Sequence, residues 1–474
     1  MKRLLSFFRD HIIEYLFIAI LFGGVFYLAF AHGSYARADF DPATEYVNKI
    51  FDNSYVHKVE ITISEDDYQN LLAEPREKTK YHTTVLIDGE KFDDVAFSAR
   101  GNGTLVQALA DHEANDDTSL ELSYTLNFKK FNKKSSYHGL DKLILSRLYY
   151  ERSYLRSYLA LHLSAAVGLD IPLSSFTEVY INGELSGLYL ALEGIDNSFL
   201  NRTGSSKTAS LFHPLPYSID WDKRYRDEQY LAPDEHLDVN EEPLVEGYDF
   251  GGADLAYHGD DPADYPAIFE NATTKYSAED AAIIIAGLKS LQPGADAETH
   301  WDIDAVLKFF AAAAVAPNSD SYLGPYAQNY YLKISDGKLS LVPWDFDSSF
   351  FAVDYTRDDP FNEGAIYWPI DDPVFYISQE SRPLWMLVAT NPNYLARYHR
   401  LIQTALDNYL LTGDCLAEFN ATADLIRPYA YADPSRHYTI DEFEDEVLYL
   451  RDFITLRADS LQKQLWSLEP KTRN

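Results

Sequence analysis

Three of this chain's four Asx-Gly dipeptides, Asp88-Gly89, Asn182-Gly183 and Asp336-Gly337, sit between strand-like runs. Each separates two runs rich in alternating apolar residues: 82–87 from 91–98, 176–181 from 188–193, and 329–334 from 338–342. A two-residue hairpin turn of type I′ needs positive φ at both central positions, which Asn, Asp and Gly supply most readily. The chain is therefore committed to antiparallel sheet in at least three places. Residues 56–63, 121–128 and 140–146 also read as strands, with Leu122, Tyr124, Leu126 and Phe128 on one face. Helical signals sit elsewhere. Ser64 caps a short helix to Ala73, and Ser153 is expected to cap one that runs to Val167 and ends at Gly168. Helices dominate the second half, over 278–291 after Ser277, 302–315, 382–388, 392–411, 416–426 and 440–465. Residues 204–274 lose all periodicity and read as a long irregular insertion over one face, a lid or partner-binding region. The fold class is α+β, sheet-rich first and helix-rich second.

A length of 474 residues exceeds one small domain and predicts two lobes. The expected divisions are an N-terminal segment 1–38, a sheet-rich nucleotide-binding lobe 39–203, the insertion 204–275 and a helix-rich lobe 276–470. A net charge of −34 argues against nucleic acid as a partner, because phosphate backbones reward basic surfaces. One cysteine, Cys415, excludes an internal disulfide and reads as structural at the start of a helix. None of the thirteen histidines has helical ligand spacing for zinc. Lys2, Arg3 and Arg9 precede an uncharged apolar run, 15–31, and Ala36-Arg37-Ala38 resembles a signal-peptidase site. The rest of the chain is thus expected to be exported. It would be held at the inner membrane facing outward through an uncleaved anchor, or be periplasmic or extracellular after cleavage.

Residues 318–350 carry the candidate chemistry. Asp320, Asn329, Asp345 and Asp347 flank the third hairpin. If Asp345 and Asp347 continue the second strand, their spacing puts both carboxylates on one face, near the start of the first strand at Asn329. Carboxylates and an amide oxygen gathered so suit a hard divalent cation, Mg²⁺ in particular. The bland alternative is a set of turn and strand-end acids in a very acidic protein. Glu193, at the end of a buried strand, is either a hinge contact or a solvated edge. Arg100-Gly101-Asn102-Gly103-Thr104 suits a tight turn whose amides approach a phosphate.

Several phrases together resemble the spore-coat protein H (CotH) kinase family: SARGNGT at 98–104, ERSYLRSYLALHL at 151–163, VYINGELSGLYLALEGID at 179–196, and NYYL with VPWDFD within 329–347. The likeness runs from Val56 to Tyr409 in the family's order. It implies a two-lobed, atypical protein-kinase-like fold that binds ATP with Mg²⁺ or Mn²⁺ between its lobes. It further implies that Asp320 is the catalytic aspartate, that Asn329 and Asp345 are metal ligands, and that Glu193 lies close to the nucleotide. In this reading Asp347 adds a second carboxylate or orients a metal-bound water. The sequence departs from the family where a basic run follows the glycine loop. Residues 121–127 read ELSYTLN, so the phosphate-facing cation is missing, shifted to Lys129, or replaced by Arg100 or Arg156. The interval from Asp320 to Asn329 is also longer than in kinase-like catalytic loops.

The activity so implied is transfer of the ATP γ-phosphate to a hydroxyl of a protein substrate. Two rivals keep the same residues. One is a surface or scaffold protein that retained the fold and lost transfer. The other is a metal-dependent nucleotide-sugar transferase, which also uses an Asp-x-Asp step at a strand end.

Overall fold

A computed structural model describes residues 42–114, 120–216, 250–350, 364–436 and 438–468. The expected anchor or signal segment lies outside them, as do residues 217–249 of the expected insertion. No helix among the described residues is long and apolar enough to cross a membrane.

All three Asx-Gly turns form hairpins. Asp88, Asn182 and Asp336 take φ near +50°, and the glycines that follow lie between +73° and +90°. The first turn joins β2 (Tyr81–Ile87) to β3 (Glu90–Arg100), and the second joins β6 (Ser174–Ile181) to β7 (Glu184–Glu193). With β1 (His57–Thr62), β4 (Ser123–Asn127) and β5 (Lys142–Ser146) these strands close a seven-stranded barrel in the order β1-β2-β3-β4-β5-β7-β6. Every pair is antiparallel except the closing one, β1 with β6.

Two large apolar cores follow from strand alternation. On β7, Tyr189 and Ala191 face the barrel interior with Leu143, Leu145 and Val179. Leu188 and Leu190, one residue out of phase, join a second core among the helices. That core gathers α3 (Arg156–Ala166), α5 (Ala278–Lys289), α6 (Ile303–Val315), α7 (Pro383–Ala389), α8 (Pro392–Ala405), α9 (Asp414–Ala432) and α10 (Ile440–Leu468). Three further helices, α1 (Glu65–Ala73), α2 (Gly103–Ala114) and α4 (Asn197–Arg202), lie beside the barrel strands in sequence.

The third hairpin stands apart from the barrel. β9 (Tyr330–Ser335) and β10 (Lys338–Pro343) form a small sheet with β8 (Ser210–Phe212). One face packs on the helical core through Leu332 and Leu341. The other, through Tyr331, Val342 and Trp344, meets Ile144 of the barrel and Phe199 of α4.

Three expectations are corrected here. The described flanks of 204–275 are not draped over a face: Leu211 and Phe212 pair with β9, and Tyr265 and Ile268 are wholly buried. Ser153 does not cap α3. The helix starts at Arg156, and the carboxylate of Glu151 takes the N–H groups of Arg156 at 2.8 Å and Ser157 at 3.0 Å. A longer side chain from further upstream thus satisfies the orphan donors that a serine usually covers. The glycine loop is shorter than expected, since Gly103 already opens α2. Cys415 is fully buried in α9, and burial pushes its thiol up to about 12, as befits a structural residue.

Candidate active site

The open end of the β9–β10 hairpin carries the site. Trp344 donates its N–H to Asn329 O at 3.0 Å, which adds one rung beyond Pro343. Both strands then break away, with Asn329 at φ +59° and Asp345 at φ +55°. Left-handed backbone costs roughly 1–2 kcal/mol for most residues, and Asn and Asp accept it best. The expectation that Asp345 and Asp347 extend β10 on one face is therefore corrected: the strand ends at Pro343 and a left-handed bend follows. The two acids are still neighbours, because the Asp347 N–H bonds the Asp345 carboxylate.

Asp320 arrives from the segment after α6. Its carboxylate accepts from Gln328 Nε2 at 2.5 Å and from Asn329 Nδ2 at 3.1 Å, and the same amide donates to Asp320 O at 2.6 Å. Asn318 ties this acid to Asp345. Its Oδ1 accepts the Asp320 N–H at 3.1 Å and its Nδ2 donates to Asp345 O at 3.0 Å. Asn318 is buried, and its backbone forms an isolated bridge with Ser349. Behind that bridge, Arg156 Nη1 donates to Ser349 O at 3.1 Å while its guanidinium pairs with Glu446 of α10. Helix, hairpin and C-terminal helix thus brace one acidic loop.

The electrostatics are those of carboxylates with too little positive charge. Burial raises Asp347 well above the usual carboxylate range, and the charges of Asp345 and Asp320 raise it further. Asp345 is raised by burial too, against the opposing pull of Arg100. By area Asp345 is exposed, although protein crowds it on most sides. The exposed area decides access, and solvent reaches this residue. Glu151, buried behind Asp347, is pushed up to about 8 by burial.

Of the basic candidates, the structure brings only Arg100 to these acids. It ends β3 and lies with its guanidinium carbon 5.0 Å from the centre of the Trp344 ring. Lys129 lies past the far end of β4, six residues from the strand position paired with Arg100, or roughly 20 Å. It pairs there with Asp141 at 2.7 Å. Arg156 is buried and spent on Glu446 and Ser349 O. Glu193 is also engaged inside. Arg202 of α4 forks onto it at 2.6–3.0 Å, Tyr46 donates at 2.5 Å and the Leu173 N–H at 3.2 Å. It pins α4 and the N-terminal 3₁₀ turn to the barrel. Next to Arg100, His213 stacks on Tyr331 with ring centres 4.3 Å apart, and burial pushes it down to about 3, so it is neutral.

Asn318, Glu151 and Glu446 escape a reading of the sequence, because Asn318 and Glu446 meet Asp345 and Arg156 far along the chain and Glu151 serves the start of α3 past the nearer Ser153. The only local signal is for Asn318, two residues before Asp320, where Asx side chains commonly accept the N–H two residues on.

Among the described residues, no three His, Cys, Asp or Glu side chains converge to hold a metal by themselves. Two acids and an amide do come together, which suits Mg²⁺, a cation that keeps few protein ligands and completes its shell with water and phosphate oxygens.

A family model described as CotH kinase protein matches residues 98–461. The inner spore coat protein H of Bacillus subtilis is 22% identical over 363 residues, covering 74% of this chain and 87% of that protein. Among solved structures, the proinflammatory kinase CtkA of Helicobacter pylori aligns with a TM-score of 0.34 and 11% identity, over 73% of this chain and 95% of that one. The HipA–HipB–operator complex of Shewanella oneidensis aligns at 0.32 and 12% identity, over 78% of this chain and 73% of the matched one. Structural likeness at that level fixes neither fold nor activity.

Proposed function

Because this chain belongs to the CotH kinase family, we propose that it is an atypical protein kinase, with the barrel and the helical region as its two lobes, that moves the γ-phosphoryl group of ATP to a protein hydroxyl. The observation that carries this reading is the braced acidic loop, where Asp320, Asn329, Asp345 and Asp347 share one network, facing Arg100 from the barrel. Such transfer asks little covalent chemistry of a protein; it needs positioning and neutralised charge.

Asp345, Asp347 and the amide oxygen of Asn329 are the residues that would hold Mg²⁺ or Mn²⁺, and the cation would supply charge neutralisation at the phosphates. The raised, mutually repelling carboxylates of Asp345 and Asp347 support that assignment, since a divalent cation relieves both burial and repulsion. Asp320, held by Gln328 and Asn329, orients the acceptor hydroxyl and takes its proton as the new P–O bond forms and the bond to ADP breaks. Arg100 faces the phosphates from the barrel side. The apolar run at 15–31 supports an exported location, which fractionation of the producing cell would test.

The test is transfer of labelled γ-phosphate to protein in the presence of Mg²⁺ or Mn²⁺. Asp320→Asn and Asp345→Asn are each expected to lower it by about 10³-fold, the scale of losing a main electrostatic contributor. Wild-type transfer that survives in both variants would falsify the assignment.

A further inference from the structure

Lys78 escapes notice in the sequence, 22 residues ahead of Arg100. In the fold it follows the short 3₁₀ turn Pro75–Glu77, and its Nζ donates to Asn102 Oδ1 at 2.7 Å. Asn102 sits between Gly101 and Gly103, directly after Arg100. Gly101 is at φ +115°, and a Cβ there would stand 3.0 Å from Thr104 Oγ1 and 3.2 Å from Leu105 Cβ. The backbone is therefore folded tightly back onto the first turn of α2, with Asn102 held beside Lys78.

Lys78 and Arg100 are both half-buried. Burial, and then the positive charge of Arg100, hold the Lys78 ammonium below its ordinary value. Among the described residues neither cation forms an ion pair. Arg100 stands over the face of Trp344, and Lys78 donates to a neutral amide. In a chain of 74 acids and 40 Lys and Arg, two adjacent, partly desolvated cations without an ion pair among the described residues, one of them within the field of Asp345, are poised for an anion from outside. Arg100 also acts on the charge of Asp345, which itself calls for neutralisation. An anion lying between the cations and a metal on Asp345 must carry several negative charges along its length.

We propose that Lys78 and Arg100 form a two-cation clamp on the phosphate chain of the nucleotide, with Lys78 as a binding residue positioned by Asn102. This clamp rests on the phosphotransfer reading for its ligand, but it makes a separate claim about the anion. Lys78 supplies the lysine that the missing basic run around 121–127 withholds, from a different strand connection.

The full chain is titrated calorimetrically with sodium tripolyphosphate, ATP and AMP, each with Mg²⁺, and its variants likewise. Wild type is expected to bind tripolyphosphate and ATP, and Lys78→Gln and Arg100→Gln to weaken both at least tenfold, the worth of one charge-assisted contact. AMP binding should change less, and Lys78→Arg should restore most of the loss. Lys463→Gln, which removes an exposed lysine paired with Asp459 on α10, should leave every affinity unchanged. Melting curves check that each variant is folded. Wild-type ATP binding that Lys78→Gln and Arg100→Gln both leave intact overturns the clamp while sparing the nucleotide reading. Tripolyphosphate binding lost in those variants, in a protein that transfers no phosphate, upholds the clamp and overturns the kinase reading. A wild type that binds neither polyphosphate overturns the clamp outright.

Discussion

The acidic and basic sides of the site are built by opposite means. On the acidic side nearly every polar group is spent: Asn318 holds Asp320 and Asp345, Asn329 holds Asp320, and Arg156 holds Ser349 while itself held by Glu446. The basic side hangs from strand and loop ends, with Arg100 over one indole and Lys78 on one amide. A rigid cage of acids and a loosely tethered pair of cations suit different tasks. The first fixes where a bond is remade, and the second lets a charged ligand enter and leave.

The sharpest way to break that contrast is to cut the brace from behind. Glu446→Ala leaves Arg156 buried without its carboxylate and should cost about 3–5 kcal/mol of stability, read from denaturant unfolding. A loss near zero would mean that the acidic loop holds itself. Asn318→Ala removes both side-chain hydrogen bonds and should cost about 1–3 kcal/mol. It should also lower kcat for transfer with little change in nucleotide affinity; an affinity loss matching the fall in kcat would place Asn318 among the binding groups instead.

A pH experiment probes the buried acid behind the loop. Glu151 has a folded value of about 8, above the ordinary glutamate value of about 4.3, so the folded state holds the extra proton. Stability is then greatest below the unfolded value and is lost as pH rises towards and through 8. The melting temperature of wild type should fall between pH 6 and pH 9, and Glu151→Gln should flatten that slope. An equal slope in both would show that Glu151 is ionised in the folded protein. The smallest effect is expected from Lys129→Gln, which breaks one half-exposed ion pair with Asp141 and should change stability by under about 1 kcal/mol and nucleotide affinity not at all.

What the sequence made legible divides along the same line. Asp88-Gly89, Asn182-Gly183 and Asp336-Gly337 announced their hairpins because turn geometry is local chemistry. The acids flanking the third hairpin were legible for the same reason. Barrel closure was not, since β1 meets β6 across more than a hundred residues with no turn to signal it. The start of α3 was misread because Glu151, rather than the nearer Ser153, reaches the free N–H groups. Which cation faces the acids also could not be read along the chain. Lys129 lies close to the departure from the family pattern in sequence but pairs with Asp141 at the far end of β4, while Lys78, 22 residues ahead of Arg100, bonds Asn102 next to it.

The parallel pairing of β1 with β6 sets a rule for cutting this protein. The stretch shared with the family begins inside β3, at Ser98. A fragment started there would lose β1 and β2 and most of β3, leaving one flank of β4 and one flank of β6 with unpaired backbone. Two such bare seams seek other strands, so that fragment should clump, and shortened forms ought to begin ahead of His57.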